Sequence, residues 1–126
     1  MAQYAQVYTV SAVSEARYNE SVAVAARIKN IGSTPITMMA RGALEYGVSP
    51  WPTTNFQDSP FTLNAGSLKW VTSVFQMLSH DVRFHVYTYW YGSDNTYHFD
   101  DDYVWDIDLK EVLYAFGAGI PTVSFA

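Results

Sequence analysis

The sequence predicts an all-β domain, an antiparallel sandwich of about seven strands. Apolar and polar residues alternate with a period of two along most of the chain. The alternating runs are short and are separated by Gly, Pro and Asn turn signals. Helical spacing of apolar residues does not persist beyond a turn or two. At 126 residues, with 49 % hydrophobic and 17 % aromatic content, the chain suffices for one core and is far too apolar to stay disordered.

Val7, Thr9, Ser11 and Val13 alternate with Tyr8, Val10 and Ala12, which predicts a first strand at a sheet edge. Val22, Val24, Ala26 and Ile28 face one way and Ser21, Arg27 and Lys29 the other, a half-buried strand. Asn30-Ile31-Gly32-Ser33-Thr34-Pro35 reads as a turn, because Asn and Gly tolerate positive φ and Pro presets its own. In the third strand Ile36, Met38, Ala40, Gly42, Leu44 and Tyr46 line the inner face, and Gly42 predicts a bulge or bend. Pro50, Pro52 and Pro60 make residues 47–60 the longest loop, with no continuous pairing.

Phe61, Leu63 and Gly66 give a short strand and a turn. Leu68, Trp70, Thr72 and Val74 follow as a strand, and Val71 and Phe75 on the opposite parity predict that it is covered on both faces. Val82, Phe84, Val86, Thr88 and Trp90 alternate with Arg83, His85, Tyr87, Tyr89 and Tyr91 before the turn Gly92-Ser93-Asp94-Asn95. The last strand sets Tyr103, Trp105, Ile107 and Leu109 against Asp102, Val104, Asp106 and Asp108. The parity predicts a shared core of Val22, Val24, Ile28, Trp70, Phe84, Val86, Trp105 and Ile107. Residues 1–109 form the expected sandwich, and residues 110–126 form an apolar C-terminal extension with only two charges.

A strand ends in Ile28-Lys29-Asn30-Ile31-Gly32-Ser33, and residues 61–66 lead into another. Phe75-Gln76-Met77-Leu78-Ser79-His80-Asp81-Val82 follows, then a Tyr-rich strand and an Asp-rich one. This order resembles CARDB-type immunoglobulin-like domains over roughly residues 21 to 109. The resemblance implies an immunoglobulin-like β-sandwich of the kind found in microbial surface proteins and in structural proteins of viruses infecting bacteria or archaea. It implies no catalytic residues, and residues 110–126 lie outside it.

Composition narrows the function classes. Seven Lys and Arg against twelve Asp and Glu leave a net charge of −5, and no basic, aromatic-interleaved run offsets it, so nucleic acid is not an expected partner. Without cysteine there is no disulfide framework and no thiolate chemistry. The sequence shows neither a signal peptide nor an apolar stretch long enough to span a membrane.

Asp100, Asp101 and Asp102, with Asp94 and Asn95 nearby, are the densest carboxylate cluster and a weak calcium candidate, since their spacing matches no EF-hand loop. Asp106 and Asp108 share a strand face, as a glycosidase pair would, but on an open surface that raises no pKa. His80, His85 and His98 do not form a metal set, and a hairpin would bring Arg83 and His85 near Asp106 and Asp108 as surface ion pairs. Tyr87, Tyr89 and Tyr91 form a ladder able to stack on sugars or anchor a protein interface, unless the loop holding Trp51 and Phe56 covers it.

In the extension Tyr114, Phe116, Ile120, Val123 and Phe125 call for a partner surface. The expectation is a non-enzymatic structural protein without cofactors, in a virion or on an extracellular surface, docking through its terminal segments on copies of itself or on a major structural protein. The alternative is a glycan-binding or adhesive module, with the tyrosines and Trp90 as its platform.

Overall fold

The computed structural model describes residues 2–110, and the alternating runs become nine strands. They are β1 (Ala5–Ser11), β2 (Glu15–Ala16), β3 (Ser21–Asn30), β4 (Ile36–Glu45), β5 (Thr53–Asn55), β6 (Phe61–Leu63), β7 (Leu68–Gln76), β8 (Val82–Tyr91) and β9 (Tyr97–Leu109). A smaller sheet runs β1-β3-β7 and a larger one runs β2-β9-β8-β4-β5, with β6 also on β4. All pairs are antiparallel except the short β2–β9 contact. The seven expected strands are present, and β2 and β5 add two short edge pieces. β9 begins at Tyr97, earlier than Asp102, because the hairpin after Gly92 is tight.

The core lies between the sheets. Val22, Val24, Ala26 and Ile28 of β3 and Val71 and Phe75 of β7 meet Met38, Ala40 and Leu44 of β4, Val82, Phe84 and Val86 of β8 and Ile107 of β9. Each large apolar side chain so buried contributes on the order of 1.5–3 kcal/mol. Phe84 stacks on Phe75 at 5.6 Å, and Phe56, from the proline-rich loop, meets it edge-on at 6.2 Å.

Several expectations change. Trp70 is not in the core but 46 % exposed, and Val74 is exposed too, so β7 is covered on one face only. Both parities of β7 are apolar, and pairing decides between them. Val71 lies opposite Ala26 and Phe75 opposite Val22, both inward, which puts Trp70 beside Arg27 on the outside. Trp105 is half-buried at the rim and donates its indole N–H to the Val13 carbonyl at 2.9 Å.

Gly42 marks no bulge, since β4 and β8 stay in register from Met38 to Glu45. A side chain there would collide with Thr54 and with Phe84 Cζ, so β5 crosses closely because the glycine leaves room. The bulges lie at Val7/Thr9 in β1, which turns both Val7 and Val10 inward, and at Thr88/Tyr89 opposite β9. Fully buried Asn30 holds the turn after β3: its amide donates to the Thr34 and Leu63 carbonyls at 2.8 and 2.9 Å and accepts from the Gly32 N–H at 2.8 Å.

Candidate functional site on the larger sheet

Strand β8 turns Arg83, His85, Tyr87, Tyr89 and Tyr91 away from the core, and its pairing sets them beside Glu45 and Arg41 of β4 and Asp106, Val104, Asp102 and Phe99 of β9. His85 is the buried member, 8 % exposed. It is stacked between Trp51, at 5.3 Å and 12°, and Tyr87, at 5.3 Å and 18°. Its Nε2 lies 2.5 Å from Glu45 Oε1 and its Nδ1 2.9 Å from Asp102 Oδ1. Burial alone lowers the affinity of this imidazole for a proton, but the hydrogen bonds and charges of the two carboxylates outweigh it and raise the pKa above the ordinary value. When protonated, the ring donates through both nitrogens and ties β4, β8, β9 and the Trp51 loop together. The expected approach of His85 to Asp106 and Asp108 is therefore not what forms; the diagonal neighbour Asp102 and Glu45 across the sheet hold it instead.

Beyond His85 the aromatic row continues toward the hairpin. Tyr87 and Tyr89 are half-buried and both meet Phe99 edge-to-face, at 5.9 Å with 64° and 74° between planes. Tyr91 meets Tyr97 likewise, at 5.0 Å and 64°. Phe99, Val104 and Tyr91 are 57, 46 and 41 % exposed, so the row forms a ridged apolar surface. Burial, then the charge of Asp102, raises the Tyr87 phenol pKa. The proline-rich loop covers one end of the row, with Trp51 on His85, whereas Phe56 enters the core. Trp90 is not part of this face: it stacks on His98 at 4.5 Å and meets Tyr4 edge-on at 4.8 Å.

The three consecutive aspartates do not converge. The bulge at Thr88/Tyr89 leaves Asp100 outside the β8–β9 ladder and aims it at the start of β1, where it accepts from the backbone N–H groups of Gln3, Tyr4 and Ala5 at 2.5, 2.8 and 2.6 Å. Asp101 accepts from Val7 N–H at 2.9 Å, and Asp102 belongs to His85. Thr88 adds a hydroxyl donor to the Ala5 carbonyl at 2.5 Å. The calcium candidate is thus corrected: Asp100 and Asp101 bind the first strand across the sandwich, and Asp102 faces the other way. Asp94 binds His98 Nε2 at 2.9 Å within the hairpin turn, which lowers its pKa. Among the described residues no three His, Cys, Asp or Glu side chains form a metal-binding group.

Asp106 pairs with Arg83 at 2.9 Å, as the parity predicts, and that hydrogen bond lowers its pKa. With Glu45, Asp81, Val82 and Asp108 they line an open hollow of about 340 Å³. A carboxylate held ionised by an exposed guanidinium is no general acid. Tyr46 stacks on His80 at 5.0 Å nearby. Tyr114, Phe116, Ile120, Val123 and Phe125 lie outside the described residues. The sequence reading missed Glu45 and Trp51 as partners of His85; the β4–β8 pairing that brings Glu45 alongside is long-range and carries no local signal.

No protein-family model matches the chain, and no curated protein matches it either. Among solved structures it is similar to the CARDB domain of a Pyrococcus furiosus protein in complex with di-metal ions, with a TM-score of 0.59 and 11 % identity over 86 % of this chain and 90 % of that one. It is also similar to part of a Pseudomonas fluorescens alkylpurine DNA glycosylase bound to DNA containing an abasic site analogue, with a TM-score of 0.54 and 11 % identity. That match covers 79 % of this chain but only 28 % of the glycosylase. The two packed sheets and the first of these likenesses agree: the chain has the fold of a CARDB-type immunoglobulin-like β-sandwich.

Proposed function

We propose that this chain is a non-enzymatic assembly component, a rigid sandwich that binds other protein subunits through the aromatic outer face of its larger sheet. The observation that carries the reading is the ridged row of Tyr87, Phe99 and Tyr89, apolar, exposed in part and braced at one end by the His85 clamp. Interlocked edge-to-face rings present grooves that suit the side chains of another protein, and interface anchors are enriched in such aromatics. A sugar platform needs rings lying flat to the solvent, and planes crossed at 64° and 74° disfavour it. Residues 110–126 supply a second apolar contact in this reading, and a virion or extracellular surface is the assembly that the sequence resemblance favours.

The test is the mass in solution, by light scattering, of the full chain, of a truncation after Lys110 and of the double variant Tyr89→Ser, Phe99→Ser. The full chain is expected above monomer mass, with the double variant reduced toward monomer and its thermal unfolding unchanged. A monomeric chain whose amide resonances at Tyr87, Tyr89 and Tyr91 shift with soluble oligosaccharide overturns the reading in favour of glycan binding.

A further inference from the structure

The two sheets divide the charge of the molecule. Strands β1, β3 and β7 contain Arg27, Lys29 and Lys69 and no Asp or Glu. The larger sheet turns four carboxylates outward, Glu45, Asp102, Asp106 and Asp108, against Arg41 and Arg83, whereas Asp100 and Asp101 are held by the amides of β1. The outer faces of a sandwich point in opposite directions, so the molecule has one side whose outward charges, Arg27 and Lys29, are both cationic and one side where carboxylates outnumber cations.

On the cationic side Arg27 lies over the Trp70 ring at 5.8 Å and Lys29 over the Tyr8 ring at 5.5 Å. Trp70, Tyr8 and Val74 are 46, 53 and 53 % exposed there. Neither cation has a carboxylate partner among the described residues, and Arg27 Nε is buried without a hydrogen-bond acceptor. A guanidinium resting on an indole keeps most of its N–H fork free for an anionic group. On the other side Glu45, Asp81, Asp106 and Asp108 outnumber the one guanidinium among them, Arg83, which pairs with Asp106, and exposed Val104 lies next along β9.

We propose that these two outer faces bind each other between successive copies of this chain, the β1-β3-β7 face of one copy on the β4-β8-β9 face of the next. The inference rests on the assembly reading above and names the partner as a second copy. Both faces are apolar at their centres, and the unpaired cations of one complement the carboxylate excess of the other, which sets orientation and disfavours pairing of two cationic faces. Because the faces differ, the contact is heterologous, and each copy keeps one face of each kind available, so copies stack in a row. A three-stranded face of this length measures roughly 15 by 30 Å, less than the ~800 Å² per partner of a standard interface. One contact is therefore weak and sensitive to salt, and it gains effect where other contacts raise the local concentration.

Sedimentation velocity of the full chain over a concentration series, at ~20 and ~300 mM salt, tests it. Association is expected at low salt and suppressed at high salt. Two charge-reversal variants, Arg27→Glu with Lys29→Glu and Asp106→Lys with Asp108→Lys, are each expected to associate roughly tenfold or more weakly alone. Mixed in equal amounts they are expected to recover association, since each then meets a complementary face. Thermal unfolding checks that both fold, and Arg27→Gln with Lys29→Gln replaces the first variant if it does not.

Association that depends on Tyr89 and Phe99 but ignores these charges overturns the stacking and leaves the assembly reading intact. A mixture of folded variants that fails to recover overturns it as well. So does a full chain that stays monomeric at low salt while its Arg27 face binds single-stranded DNA or an acidic polysaccharide.

Discussion

His85 concentrates the chemistry of the described residues into one side chain. Its folded pKa lies above the unfolded value of about 6.5, so its contribution to stability is fully present below that pH and is lost as pH rises through the folded pKa. Neutral imidazole has one N–H and cannot donate to Glu45 and Asp102 together. The thermal midpoint of the wild type is therefore expected to fall more steeply than that of His85→Gln as pH rises above about 6.5. Parallel slopes for the two proteins would show that the clamp is not linked to protonation. Asp100 is the other singular residue: one carboxylate satisfies three successive amides at the start of β1, and the Ala5 amide is buried. Asp100→Ala is expected to cost about 3 kcal/mol in denaturant unfolding, because charge-assisted bonds are lost and a buried N–H is left without an acceptor. Neither role is legible locally. In the sequence Asp100 is one of three aspartates in a row, and only the one-residue bulge separates its direction from its neighbours'.

At the scale of elements, alternation places strands well and faces less well. β3 and β8 alternate apolar with polar or aromatic residues, so their inward sets, Val22 to Ile28 and Val82 to Val86, follow from the period of two. β7 is apolar on both parities, and only its register with β3 decides that Val71 and Phe75 go in and Trp70 goes out. β4 gives a sharper case. The glycine at 42 is required by approach rather than by backbone shape, since Thr54 of β5 and Phe84 of β8 occupy the space a Cβ would take. Gly42→Ala is expected to destabilise by about 1–3 kcal/mol in equilibrium unfolding, the range for overpacking, by forcing β5 away from β4. A neutral result would mean that β5 is held loosely.

At the scale of the molecule, linear order conceals the charge division. Along the chain no basic run interleaves with aromatics, yet Tyr8, Arg27, Lys29 and Trp70 come from three strands and meet on one face. The total of −5 likewise hides a smaller sheet whose only charged residues are Arg27, Lys29 and Lys69. Solution association of this protein is thus expected to weaken as salt rises, the opposite of what net charge alone requires; two copies of net charge −5 repel, and screening helps them associate. Association weakened by salt is the signature of opposed faces, and association strengthened by salt is the signature of apolar contact alone.

The sequence by itself determined the fold class, six of the eight residues expected to share the core, the loop between β4 and β6 and the Arg83–Asp106 pair. These rest on the period of two and on turn chemistry, which act over a few neighbouring residues. The tertiary structure decided which parity of β7 faces inward, that Asp100, Asp101 and Asp102 serve three separate purposes, that His85 is clamped between strands, and which charges share a face. Each of these depends on register, bulges and pairing between segments far apart in the chain, and a local pattern contains no information about the partner that long-range pairing will supply.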